Sequence, residues 1–316
     1  MKKLSFTAVV LGILCVFSSL VVARSAFAWS QSVHAYVATK CLNLDDKYVA
    51  SYNAEMGSIV PDFFWYLRDR GWISEETAYL LHGPTEGVCE DDTTYFYGVA
   101  SSLLKPWNYR LKFFTKGIKT HVMADIKAHK VPDGYIERWI PILAGKMAAD
   151  PMADYTEEEL HLSLELAVDS LLVYFEGLQL NSLLISYSQA NFLEKAVIVA
   201  LNDLGSPPEG LDVSLEFKKY LALMRILEKA AALYASCLIQ GKVDEKLLNM
   251  LESSEFLDAE RELSDQALGL YLRVLAILVH YPEEIYQTLT GDEGGDHWMD
   301  ALDDVIGFCS NFDNCP

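Results

Sequence analysis

Positive charge is scarce in this chain: 25 Lys and Arg stand against 45 Asp and Glu, a net charge of −20 over 316 residues. Such a surface repels nucleic acid and anionic lipid at long range. It argues against a basic, aromatic-interleaved stripe for long nucleic-acid strands, but not against a pocket made locally positive by divalent cations. Proline is also sparse, with only Pro207 and Pro208 between Pro151 and Pro282. Strand-like alternation is missing over any useful length. There is no internal repeat and no low-complexity linker. The cysteines include no Cys-x-x-Cys pair, which disfavours a thiolate zinc site. Gly-x-Ser-x-Gly is absent, and no cysteine has an activating histidine nearby in sequence, so no Ser or Cys nucleophile is indicated. The acidic loop Gly291–Asp296 lacks the ligand spacing of an EF-hand.

Long apolar runs are limited to one, the 19 residues from Leu4 to Val22. Lys2 and Lys3 precede it, and Ala26-Phe27-Ala28 follows with small residues where a signal peptidase reads. That order predicts a secretory signal peptide over 1–28 and a secreted or periplasmic location, the alternative being an uncleaved N-terminal helix. Cys15 follows Leu14 and does not form a lipoprotein site. Cleavage after Ala28 would remove three basic residues and no acid, leaving 288 residues with 22 basic against 45 acidic and no further membrane-spanning segment. It would expose an α-amino group on Trp29, with a pKa near ~8, able to chelate a metal together with its own carbonyl oxygen. Five cysteines would remain, and Cys309 and Cys315 are close enough in sequence to staple the tail with a disulfide.

The rest of the chain reads as helix after helix. Leu111, Phe114, Ile118, Val122 and Ile126 mark one apolar stripe between Tyr109 and Lys130, stopped by Pro132. Thr156-Glu157-Glu158-Glu159 opens a second helix, to about Leu178, apolar nearly all round and therefore buried. Further helices are expected at 188–203, 214–236, 242–252 and 257–280, with the clearest break at Gly205–Gly210. The fold class is all-α, one multi-helix domain over 29–316, in which 29–178 carries the candidate ligands and 179–316 is a helical extension.

The chemistry lies on histidines and acids. His121, Asp125 and His129 stand at i, i+4 and i+8, one gently drifting ridge of a helix. His161 and Glu165 repeat the pair on the second helix, where a carboxylate in apolar company calls for a cation or strong donor. Imidazole with carboxylate is zinc chemistry. Asp62 follows Pro61 amid Phe63, Phe64, Trp65 and Tyr66, and would otherwise serve as a helix cap. His82 falls at a helix end, where a histidine also answers the helix dipole. His280 reads as a helix terminus, and His297, beside Trp298, as a residue without a site role, a place near a pocket mouth being the alternative.

In chain order, Trp29, His34, Asp62, His82, His121-x3-Asp125, His129 and His161-x3-Glu165 resemble the zinc-dependent phospholipase C family and its relatives, the secreted single-strand-specific nucleases. The resemblance covers roughly half of the chain. It implies an all-helical fold and up to three zinc ions. One would take Asp62, His82, His121 and Asp125. A second would take the Trp29 amine and carbonyl, His34 and a bridging Asp125. The third would take His129, His161 and Glu165. In relatives the ligand after the bridging Asp comes six residues on; here that position is Val131 and His129 stands four on, with Asp169 available as a substitute ligand or as an acceptor that holds a ligand in place.

The expected function is therefore secreted phosphodiester hydrolysis, closest to phospholipase C, on a phospholipid or other phosphodiester. Adjacent metals neutralise the phosphate oxygens and lower the pKa of a shared water, and Asp62 or a bridging hydroxide would supply or orient the nucleophile. Phe63 is the candidate to line a headgroup pocket. No stable nucleic-acid complex is expected. The alternatives are a nuclease or nucleotidase on the same scaffold, and a non-catalytic zinc-binding interaction protein.

Overall fold

A computed structural model of the chain describes residues 31–45, 47–83, 95–129, 134–150, 154–177, 185–205, 208–253, 265–291 and 297–310. The expected signal peptide, Trp29 and Cys315 lie outside these residues. Among the described residues every regular element is an α-helix, as the lack of alternating runs predicts.

The helices that carry the site are α1 (Gln31–Cys41), α2 (Tyr48–Ser58), α3 (Val60–Asp69), α4 (Glu75–His82), α5 (Tyr95–Ser102), α6 (Tyr109–His129), α7 (Tyr135–Met147) and α8 (Glu157–Glu176). The second half adds α9 (Tyr187–Asp203), α10 (Val213–Gln240), α11 (Glu245–Leu251), α12 (Asp265–His280), α13 (Pro282–Thr290) and α14 (His297–Ser310).

Local chemistry sets the ends. Thr156 caps α8 through a reciprocal box, its hydroxyl taking the Glu159 N–H at 3.3 Å while Glu159 takes the Thr156 N–H at 2.9 Å. Ser186 and Gln189 repeat the device on α9. Pro61 and Pro282 sit in the first turns of α3 and α13, where a missing N–H costs nothing.

Two apolar clusters build the core. One gathers α2 to α5, the first half of α6, α9 and the start of α10 around Phe63, Phe64, Phe114 and Phe217. The other gathers the end of α6, α7, α8, the end of α10 and α12 to α14 around Leu143, Leu171, Leu238 and Leu302. Each fully buried large side chain contributes about 1.5–3 kcal/mol of transfer free energy. Helices α1 and α6 belong to both clusters: Val33 and Val37 face one, Ala35 the other. His34 lies between them, so the polar residues of α1 and α6 collect at the seam.

The closest helix contact brings α2 onto α6. A Cβ on Gly57 would stand 1.8 Å from the Phe114 carbonyl oxygen, and one on Gly117 would stand 2.0 Å from that of Ala54. Only two glycines let these backbones touch. Among the described residues no helix is long and apolar enough to cross a membrane.

Candidate metal centre

The seam brings together residues from five helices. His34 comes from α1, Asp62 from the first turn of α3, and His82 from the last position of α4. His121, Asp125 and His129 share one ridge of α6, and His161 and Glu165 extend from α8. Asp62 does not cap its helix: Ile59 holds the N-cap position without a side-chain cap bond, and Asp62 is fully buried.

Two imidazoles converge with the carboxylates. The Nε2 atoms of His82 and His121 stand 3.1 Å apart. His82 Nε2 is 3.3 Å from Asp62 Oδ1 and 3.3 Å from Asp125 Oδ2; His121 Nε2 is 3.2 Å from Asp125 Oδ2. The far nitrogens set the tautomers. His121 Nδ1 lies 2.6 Å from the Ser58 carbonyl and His82 Nδ1 lies 2.9 Å from that of Gly83. A carbonyl only accepts, so each Nδ1 carries a proton, and in the neutral ring each Nε2 then presents a lone pair. Two lone pairs and carboxylate oxygens aimed at one small volume repel one another unless a cation lies among them.

Asp125 faces two ways. Oδ2 meets His82 and His121, while Oδ1 is 3.3 Å from His34 Nε2. The His34 ring stacks on His121 with centroids 3.7 Å apart. On the other side, Glu165 Oε1 is 2.9 Å from His161 Nε2 and 3.3 Å from His129 Nε2, and the two rings stack at 4.7 Å. His129 therefore joins Glu165 and His161 despite its displaced position in sequence. His161 and Glu137 have side chains 21% exposed, whereas the Asp62, Asp125, His121 and His34 side chains are sealed; this is where the cluster opens to solvent.

The donor set fits divalent zinc. Among the described residues no Lys or Arg is paired with Asp62, Asp125 or Glu165, although all three are buried. Buried carboxylates are paired with cations or coordinate metals. Neither Asp125 oxygen and neither His129 nitrogen has a hydrogen-bond partner. Three groupings place one ligand atom from each member within 4.8 Å of the others: His34, His121 and Asp125; Asp62, His82 and His121; His129, Glu137 and His161. These are nitrogen and oxygen donors of the kind zinc takes.

The electrostatics agree. Burial, then Asp125 and Asp62, push the Glu165 carboxyl well above its ordinary range. Burial holds His129 well below the usual histidine value, with His161 adding to the effect, and burial also lowers His161. At His121 burial acts downward, but the Asp125 and Asp62 carboxylates outweigh it and the net shift is upward. Without a cation, burial works against charge here, pushing Glu165 toward its protonated form and His129 toward its neutral form.

Two site residues escaped the sequence reading. Gln31, buried on α1, donates its amide N–H to Asp62 Oδ2 at 2.9 Å and so aims Oδ1 at His82. Glu137, on α7, adds a carboxylate 3.8 Å from His161 Nδ1. Glu137 has no spacing partner among the site residues of its own helix, and Gln31, three residues before His34, carries an amide and not a metal-ligand group. Asp169 is placed otherwise than as a replacement ligand: its Oδ1 accepts the Val33 N–H at 3.0 Å and fixes the start of α1.

Phe63, expected at a headgroup pocket, is instead fully buried, edge-on to Phe217 at 5.0 Å and beside Phe64, Tyr66 and Tyr220. Its ring is part of the apolar cluster. His280 ends α12 as expected, and His297 opens α14. Cys309 is a buried free thiol; Cys315, its expected partner, lies outside the described residues.

No curated protein and no solved structure gives a significant match to the chain. The family profile described as zinc-dependent phospholipase C matches residues 33–204. That stretch runs from the helix of His34 past the helix of Glu165 and takes in more than half of the chain, so the protein belongs to the zinc-dependent phospholipase C family.

Proposed function

We propose that the protein is an exported phosphodiesterase that cleaves phospholipids in the manner of phospholipase C. Membership of a zinc-dependent hydrolase family supports the reaction class. The observation that carries the reading is Asp125: a fully buried carboxylate whose two oxygens face different imidazole sets and accept no hydrogen bond. A carboxylate so placed is suited to bridge two cations.

Asp62, His82, His121 and Asp125 would hold one zinc, His34 and Asp125 a second, and His129, His161, Glu165 and Glu137 a third. Trp29 stands two residues before Gln31 in the sequence. Its freed amine and carbonyl would complete the set of His34. When bound, zinc neutralises phosphate oxygens and lowers the pKa of water.

The protein's own residues supply position. Ser58 and Gly83 lock the two imidazole tautomers, and Gln31 occupies Asp62 Oδ2, leaving Oδ1 to receive a cation or a proton from an attacking water. Glu137 and His161 line the open side, where a phosphodiester would approach.

The test is zinc content by mass spectrometry together with a hydrolysis panel of phospholipids, nucleotides and single-stranded DNA. Zinc above one equivalent with release of a phosphorylated headgroup is expected. Cleavage of nucleotides alone would overturn the lipid substrate. Bound zinc with no hydrolysis at all would overturn the enzyme.

A further inference from the structure

The mature chain expected from the sequence has an odd number of cysteines, and nearness in sequence pairs Cys309 with Cys315. The fold offers Cys309 another neighbour. Cys41 ends α1, and Cys309 lies in the last turn of α14, a helix packed along α1. The Cys41 thiol donates to the Ile306 carbonyl at 3.7 Å, one turn before Cys309, so both thiols lie at the same α1–α14 packing contact. Both are sealed from solvent, at 5% and 0% exposure. The third buried thiol, Cys237, behaves differently. It donates to the Leu233 carbonyl of its own helix at 3.6 Å and receives the Asp244 N–H at 3.2 Å.

We propose that Cys41 and Cys309 are joined by a disulfide that ties α1 to α14. Two buried thiols brought to one helix contact from distant parts of a chain are placed for oxidation wherever the compartment allows it. Closure needs a disulfide oxidant such as glutathione disulfide or a dithiol–disulfide exchange protein. One cysteine thiolate attacks a sulfur of that oxidant and expels a thiol. The second thiolate then attacks the mixed disulfide and expels the other thiol. The pair loses two protons and two electrons, and the oxidant's disulfide is reduced to two thiols.

The finished fold disfavours this exchange, because contact with Cys41 and burial push the Cys309 thiol well up. Closure therefore belongs to the stage at which α14 docks on α1. Helix α14 also packs on α6. The bond would fasten the helix of His34 to an element that rests on the helix of His121, Asp125 and His129. Its formation does not depend on the metal or the substrate.

The full chain would be refolded in a glutathione redox buffer, alkylated under denaturing conditions without reductant, digested and mapped by mass spectrometry. The expected product joins the Cys41 and Cys309 peptides and is two hydrogens lighter than their sum. Alkylation of both residues, or a Cys309–Cys315 product, would overturn the proposal. A Cys315→Ser chain should give the same crosslink, and its loss there would also overturn it. Thermal melting provides an independent reading. The oxidised wild type should melt on the order of 5 °C above its reduced form. Cys41→Ser and Cys309→Ser should each abolish that difference, and the double variant should change it no further. A redox-dependent difference that persists in either single variant would assign the effect to other cysteines and sink the pairing.

Discussion

As the proposed bridge, Asp125 would have the heaviest duty of any side chain in the centre. Replacing it by Asn keeps the shape but removes the charge that would hold two cations together. Asp125→Asn should therefore lose more zinc than His129→Ala, and about a hundredfold or more of the hydrolytic rate. Mass-spectrometric zinc counts on both variants check this, and an Asn variant with full zinc content would refute the bridge. An added Met or tag before Trp29 turns the proposed amine ligand into an amide, whose lone pair is delocalised. That form should lose about one equivalent of zinc and keep its helical circular dichroism, and trimming to Trp29 should restore both zinc and rate. Glu165 tests the electrostatics. Its folded value is raised above the ordinary 4.5, so its contribution to stability is present below that pH and is lost as pH rises through the folded value. In chelated protein Glu165→Gln should therefore melt higher than the wild type by an amount that grows as pH rises above the ordinary carboxylate value. With zinc restored the order should reverse. A chelated Gln variant melting lower at every pH would show that the carboxylate is satisfied without metal. At this scale the sequence was informative where ligands are spaced by a helix turn, as in His121-x3-Asp125 and His161-x3-Glu165. It was silent on Gln31 and Glu137, single polar residues that acquire meaning only across a gap between helices.

The crossing of α2 and α6 determines whether His121 is aimed correctly. Its Nδ1 reaches the Ser58 carbonyl because Gly57 and Gly117 let the two backbones meet. Gly117→Ala would drive a methyl group to 2.0 Å from the Ala54 oxygen. Overpacking of this kind costs about 1–3 kcal/mol, and backbone has less room to yield than a side chain. The variant should melt at least several degrees lower and lose zinc with the His121 orientation. Gly98→Ala on α5 is the control: nothing lies within 4 Å of its would-be Cβ, so the change should be neutral or stabilising by about 0.5–1 kcal/mol. Equal melting temperatures for the two variants would mean that the close crossing is unimportant. The helices themselves were legible. The five stripe residues of α6 are all buried, and α8, apolar nearly all round, is buried along most of its length. Which helix touches which was not legible, because glycine carries no signal of the backbone it will meet 60 residues away. The same gap separates the tail staple suggested by neighbouring cysteines from the contact of Cys41 with Cys309.

The whole molecule carries its ligand cluster inside an acidic body. Net charge −20 opposes the approach of an anionic substrate and leaves a zwitterionic one nearly indifferent. Salt screens that repulsion, with a Debye length of about 10 Å at 0.1 M shrinking to about 3 Å at 1 M. The loaded enzyme should therefore turn over dispersed short-chain anionic phospholipids with a kcat/KM that rises several-fold as salt increases from low to physiological strength. On a zwitterionic lipid of the same chain length it should stay flat. The contrast separates steering by the surface from chemistry at the centre, since a salt effect on the zinc ligands would move both substrates together. It also bears on the substrate class. If anionic lipid turnover instead falls with salt, the phosphodiester must meet a positive region strong enough to reverse the field of the chain. The bound cations behind the opening at His161 and Glu137 would be the source to examine, through the same salt series at lower zinc occupancy.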